Sequence, residues 1–335
     1  MPAHTYRNLM HRAAAAGFKS DFIRDVVLPD WWAPECEKDA SLLPEVEFRL
    51  ARFLGASVET IRDPVAPLSA PDYPGAQLRR VQNLNRDRLK AAIHAGLRVA
   101  SAVVRCLRSP ESPIRIPPSD PLGWRQGLCT KGPVLGLQSF VDDLWSGGIP
   151  VIHLEKVPPP RFQGLACVVQ KRPVILLAHG SDAPVRLMLY ALHETGHIVH
   201  RDAGPDVPVV DEDELFPDTS EMEQAAEDYA WKALTGGQPI LEAGNGSELD
   251  WANAAWEDQR KRGIDAGVTL WSWANQTKNF SKGEMALKAL YRAQGGQRIL
   301  RDAFDQHVRW EDASETDREL LRSVFLGPER DAAAD

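Results

Sequence analysis

Apolar residues recur at helical spacing along most of this chain. Between positions 84 and 107 they fall at Leu89, Ala92, Ile93, Leu97, Ala100, Val103, Val104 and Leu107, and this repeat of three and four predicts one long amphipathic helix. Helices are also expected at 18–28 and 43–53. Residues 47–61 resemble a helix-turn-helix in which Gly55 ends one helix and a second begins near Ser57. The texture changes after Leu135. A helix at 138–145, ended by Gly147 and Gly148, leads into a short strand at 149–154. Two β-rich runs, 162–169 and 172–177, are separated only by Gln170 and Lys171, which suits a hairpin or adjacent strands. Helical periodicity returns at 186–200, with Ser181 or Asp182 as the cap and Pro184 in the first turn. Further helices are expected at 220–234 and 282–293.

Breaks in this pattern suggest four stretches. The proline-rich segment 65–75 and the break at 109–121 delimit an N-terminal, helix-turn-helix-like unit (1–66) and a linker with the long helix (67–121). Residues 122–237 hold the strands and the helix at 186–200, and 238–335 read as a helical C-terminal unit. The expected fold class is α+β: mainly helical, with a small β-sheet beside the helix at 186–200. Residues 328–335 are expected to be disordered.

Composition narrows the function classes. A chain of 335 residues with 43% apolar content can bury a sizeable core. No apolar run is long enough to span a bilayer, so no membrane association is expected. The first twenty residues carry His4, Arg7, His11, Arg12 and Lys19 among alanines, without the apolar block of a secretory signal, and the expected location is cytoplasmic. Cys36, Cys106, Cys129 and Cys167 form no CxxC pair, which argues against a thiolate zinc knuckle or a redox dithiol and for ordinary buried thiols. A net charge of −8 argues against the whole chain acting as an electrostatic binder of nucleic acid. The basic stretch 79–108 reads as a solvated helix face. DNA binding by the N-terminal unit has little support, because 58–62 offers a single basic side chain, Arg62; a protein-contacting role stays open beside it.

Chemistry concentrates on the helix at 186–200, where the chain reads His193-Glu194-Thr195-Gly196-His197, an H-E-x-x-H pattern. Residues four apart share a helix face, so both imidazoles can reach one Zn2+ ion at about 2.0–2.1 Å. Glu194 flanks the metal and is the expected general base toward a zinc-activated water. A third ligand should come from another helix, and Glu223 in the helix at 220–234 is the leading candidate, with Glu221 and Glu227 as alternatives. Small residues there, Ala226 and Ala230, allow close approach. Asp218 and Glu221 have capping-box spacing, which leaves Glu223 free; the rival pairing of Ser220 with Glu223 would use Glu223 at the helix end. Glu227, and less strongly Asp202, could accept a hydrogen bond from a ligand histidine. His200 lies three residues after His197 and is read as a local hydrogen-bonding group near the helix end. His200 and Tyr229 are weak candidates for stabilising an oxyanion, and His153 and His179 lack ligand spacing and read as structural.

The stretch from Gly148-Ile149-Pro150-Val151 through Gly164, Arg172-Pro173-Val174-Ile175 and Leu192-His193-Glu194-Thr195-Gly196-His197-Ile198 to Glu223-Gln224-Ala225-Ala226-Glu227-Asp228-Tyr229-Ala230 resembles the ImmA/IrrE-type zinc metallopeptidase domain. That family places its third ligand at the first Glu of a pattern like E-x-x-A-(N or D)-x-F-A, which maps onto Glu223. Glu227 stands here where Asn or Asp is usual, and Tyr229 where Phe is usual. Leu189-Tyr190-Ala191-Leu192 also departs from the family's common Phe-Thr-Leu-Ala. The resemblance implies a small α+β peptidase fold and a restricted protein substrate, for several members a helix-turn-helix repressor encoded nearby. The function expected from the chain is therefore that of a zinc-dependent endopeptidase acting on a protein partner. The rivals are a DNA-binding transcription regulator or antitoxin-like protein with an inactive or sensory peptidase domain, and a zinc-holding sensor without turnover. Trp251, Trp256, Trp271 and Trp273 are expected to pack the C-terminal unit against the peptidase, with a sensor or substrate-docking surface as the alternative.

Overall fold

The computed structural model describes residues 4–73, 77–78, 86–109, 111–130, 132–204, 208–211, 220–291 and 295–325. The expected disorder at 328–335 and the capping role of Asp218 lie outside these residues.

The chain opens with α1 (Tyr6–Ala15), whose first turn is capped by the Thr5 side chain accepting from the Asn8 N–H. The helix expected at 18–28 forms as α2 (Ser20–Phe22) continued by a π-helical turn at Ile23–Val27. Next come α3 (Leu43–Leu54) and α4 (Val58–Arg62). Gly55 ends α3 at φ 66°, a left-handed conformation that a side chain would strain, and Ser57 caps α4 by accepting from the Thr60 N–H. After β1 (Gln77–Leu78), the long repeat forms α5 (Arg86–Arg105). Then follow α6 (Pro121–Leu128), α7 (Leu137–Ser146), β2 (Val151–His153), β3 (Gly164–Val169), β4 (Arg172–Leu177) and α8 (Pro184–His200). The remainder is β5 (Val209–Asp211), α9 (Glu221–Thr235), α10 (Glu248–Arg262), α11 (Ala266–Thr277), α12 (Phe280–Leu290), α13 (Gly296–His307) and α14 (Glu315–Phe325).

The protein is mainly helical with one small mixed sheet, an α+β fold as the sequence predicts. Strand order is β1-β5-β3-β4-β2. β3 and β4 form an antiparallel hairpin, with Gln170 and Lys171 as its two-residue turn at φ 49° and 67°, positive values that match the twist of the flanking strands. β2 runs parallel to β4, and β5 antiparallel to β3. Every β4 side chain is buried, since α8 packs on one side of the sheet and α5 on the other. Gly96 in α5 permits that approach, because a Cβ there would lie 2.9 Å from Leu176 Cδ1.

Of the basic stretch 79–108, residues 79–85 lie outside those described, Lys90 and Arg98 are half-buried and Arg105 and Arg108 are exposed, while the apolar side of α5 is buried. Leu89, Ala91, Ala92, Ile93, His94 and Ala95 are all buried, as are Val99, Ala100 and Ala102 to Val104, because the sheet, the N-terminal helices and α14 enclose the helix. Its exposed Arg105 is paired with Asp317 at 2.6 Å. Buried apolar side chains from Leu9 to Phe325 form one core cluster that runs through all four stretches of sequence. Asp182 departs from expectation. Ala183 is the N-cap of α8, and the Asp182 carboxylate instead accepts from the backbone N–H groups of Gly295 and Gln297, capping α13. Cys106 and Cys167 are buried, whereas Cys36 and Cys129 are half-buried. Trp251, Trp271 and Trp273 are core residues, but Trp256 is 44% exposed. No described helix is long and apolar enough to cross a membrane.

Candidate metal centre

The last two turns of α8 carry His193 and His197 on one face, their Nε2 atoms 3.1 Å apart. The chain returns in α9, and Glu223, in its first turn, brings a carboxylate to both rings: Oε2 lies 3.1 Å from His193 Nε2, and Oε1 lies 2.8 Å from His197 Nε2. Ser220 caps α9 by accepting from the backbone N–H of Glu223 at 3.4 Å, while the Glu223 carboxylate lies against both imidazoles. What brings α9 so close is the crossing one residue before His197. A Cβ on Gly196 would sit 2.8 Å from Ala226 Cα, closer than real Cβ contacts come, so glycine is required where the two helices touch.

A turn at the end of α8 supplies a further carboxylate. Arg201 adopts φ 63° and ends the helix, the Asp202 N–H bonds to the His197 carbonyl at 2.9 Å, and Asp202 Oδ2 lies 2.9 Å from His197 Nδ1. The hydrogen bond fits an Nδ1–H donor, which leaves the His197 Nε2 lone pair pointing at Glu223. An acceptor facing an acceptor at 2.8 Å is repulsive unless a cation or a proton lies between them. Four ligands at about 2.0–2.1 Å in a tetrahedron are about 3.3 Å apart, so the separations of 2.8–3.1 Å here are only slightly tighter than zinc requires. His193, His197 and Glu223 together can hold a metal ion. His197 and Glu223 are almost fully buried, while the His193 side chain is 12% exposed, so solvent reaches the cluster past His193.

Glu194 is turned toward the sheet. It is buried against Gly164 at the start of β3, where a Cβ would come within 2.9 Å of Glu194 Cγ and closer still to its carboxylate. The same carboxylate acts on Cys167 in β3, whose thiol is pushed up first by burial and then by the Glu194 charge, leaving it inert.

The other sequence candidates fall outside the cluster. Glu227 is exposed and accepts from Trp231 Nε1 at 3.4 Å, so the carboxylate beside a ligand histidine is Asp202 and not Glu227, which lies on the outer face of α9. Glu221 opens α9 in solvent. His200 is exposed, with its ring 6.2 Å from Tyr229. Tyr229 is buried and donates from its hydroxyl to the Pro118 carbonyl at 3.0 Å, which ties α9 to the segment before α6. His153 and His179 are buried in a hydrogen-bonded pair, His153 Nε2 lying 2.9 Å from the His179 carbonyl oxygen. At the N-terminal unit, Arg62 Nε is bound to the buried Glu47 at 2.7 Å, and Glu47 also meets His4 at 2.6 Å. Sequence reasoning ranked Asp202 low and gave Gly164 a place in the family resemblance but no role beside Glu194. A polar residue just past a helix end gave a signal for the first, and a glycine opening a β-rich run gave one for the second.

Comparison of the chain with family models, curated proteins and solved structures returned no match.

Proposed function

We propose that this protein is a zinc-dependent endopeptidase that hydrolyses a peptide bond in a protein partner. The observation that carries the reading is the convergence of His193 Nε2, His197 Nε2 and the Glu223 carboxylate, within 3.1 Å, on a helix that also bears Glu194. Two imidazoles and one carboxylate are a donor set suited to zinc in a site that keeps a position open. When bound, the ion supplies positive charge that polarises a carbonyl and makes water acidic near neutral pH.

The chain's own groups do the rest. Asp202 orients His197 and holds its proton at Nδ1, and Glu223 contributes negative charge from a second helix. Glu194 accepts a proton from the attacking water and returns it to the departing amine nitrogen. Its burial against Gly164 keeps the carboxylate fixed and shielded from bulk water. The resemblance to ImmA/IrrE-type peptidases supports a protein substrate, with a helix-turn-helix repressor encoded beside the gene as the first choice, and a cytoplasmic location.

The test combines metal analysis with cleavage. The purified chain, loaded with zinc, is expected to retain one ion and to cut the product of the neighbouring open reading frame at a defined bond. A chelator should stop the cleavage, and zinc should restore it. A chain that takes up no zinc, or that cleaves equally well after chelation, overturns the proposal.

A further inference from the structure

Apart from the residues of the metal cluster, α3, the π-helical turn at 23–27, α5 and α14 line a half-open cavity of about 330 Å³. Three arginines reach its wall. Arg49 is satisfied by Glu45 at 2.5 Å and by both oxygens of Glu319 at 2.7 and 3.2 Å. Arg52 reaches the hydroxyl of Thr316. Arg98, on α5, is half-buried, and its buried Nε meets no hydrogen-bond partner.

The surroundings of Arg98 are unfavourable to its charge. Burial is the largest influence against it, and Arg105 and Arg52 add repulsion. Asp317 is the carboxylate that offsets this, yet Asp317 is already held by Arg105 through two hydrogen bonds at 2.6 and 3.0 Å. Glu315, the remaining carboxylate on the cavity wall, is exposed and makes no ion pair among the described residues. A guanidinium kept partly out of water, with its Nε unpartnered and its nearby carboxylate shared with another arginine, is a costly arrangement that an anion would relieve. The rest of the wall is apolar: Val27, Phe53 and Leu320 are buried side chains that line it.

We propose that this cavity binds a small organic anion, whose acidic head pairs with Arg98 and whose apolar body lies against Val27, Phe53 and Leu320. The site is independent of the metallopeptidase reading. It joins α3 and the π-helical turn to α5 and α14, so its occupant ties the N-terminal helices to the last described helix.

Hexanoate is the probe, added to the full chain, with acetate and hexanol as matched controls lacking the apolar body and the charge. Saturable binding of hexanoate is expected by calorimetry, together with a rise in the thermal midpoint that acetate and hexanol do not produce. Arg98→Gln should weaken hexanoate about tenfold or more, the loss expected for a charge-assisted hydrogen bond, and Arg98→Lys should weaken it less. The proposal is overturned if hexanoate shows no saturable binding, if hexanol or acetate binds equally well, or if a folded Arg98→Gln chain binds hexanoate unchanged.

Discussion

Glu194 occupies the space that a Cβ on Gly164 would need, so the proposed base and the glycine form one unit although thirty positions separate them. Gly164→Ala is expected to displace the carboxylate, abolishing cleavage while leaving zinc content unchanged; cleavage kinetics beside metal analysis check both parts. Glu194→Gln tests the chemistry without steric disturbance, because the amide fits the same space but cannot take up a proton. It should retain the metal and lose turnover, and a variant that cleaves normally would remove Glu194 from the mechanism. Asp202→Ala leaves His197 Nδ1 without its carboxylate. Zinc affinity should fall about 10- to 100-fold, as is typical when such a partner is lost, and competition with a coloured chelator measures it.

Helix α8 alone can present only two ligands, so the site depends on how α9 meets it. The contact is between Gly196 and Ala226, one residue before His197 and three after Glu223. Gly196→Val should force the helices apart, at a cost of about 1–3 kcal/mol for overpacking. The expected result is a lower denaturant midpoint together with weaker zinc binding. A loss of stability with unchanged zinc affinity would show that Glu223 does not depend on that crossing. Helices α8 and α9 were legible from periodicity, and the H-E-x-x-H spacing marked His193 and His197 as two of the three side chains that can hold a metal ion. Glu223 was legible only as the best of several carboxylates, because its side-chain direction depends on which face of α9 meets α8. Asp202 and Glu227 came in the wrong order for a similar reason. The left-handed turn at Arg201 folds Asp202 back onto His197, whereas Glu227 stands on the solvent side of its helix.

Over the whole molecule, buried imidazoles outside the metal cluster link folding to pH, and His94, His153 and His179 are all held below the ordinary value by burial. His94 sits between the Phe53 carbonyl and the Tyr73 hydroxyl, and burial pushes its pKa down to about 4. His179, held down by burial and by Arg186, falls to about 3. In the unfolded chain all three take up protons near the ordinary value of 6.5. The unfolded state therefore binds more protons below that value, so stability is full above pH 6.5 and declines as pH falls toward 4, with the His179 share continuing to about 3. Urea midpoints at pH 7.5, 6 and 5 should fall in that order, and His94→Gln should flatten the decline.

Local pattern was enough for what depends on neighbours in sequence: the α+β class, the helix and strand periods, the break between two strands at Gln170 and Lys171, and the i, i+4 pair of imidazoles. Each follows from chain geometry over a few residues. Tertiary structure decided what depends on residues far apart in the chain. It buried the apolar side of α5 from Leu89 onward, turned Asp182 from the helix it precedes to the cap of α13, joined Glu194 to Gly164, and left the Arg98 Nε beside a cavity with no hydrogen-bond partner among the described residues. Burial and charge pairing arise from whichever surfaces come together on folding, and no period in the sequence encodes that meeting.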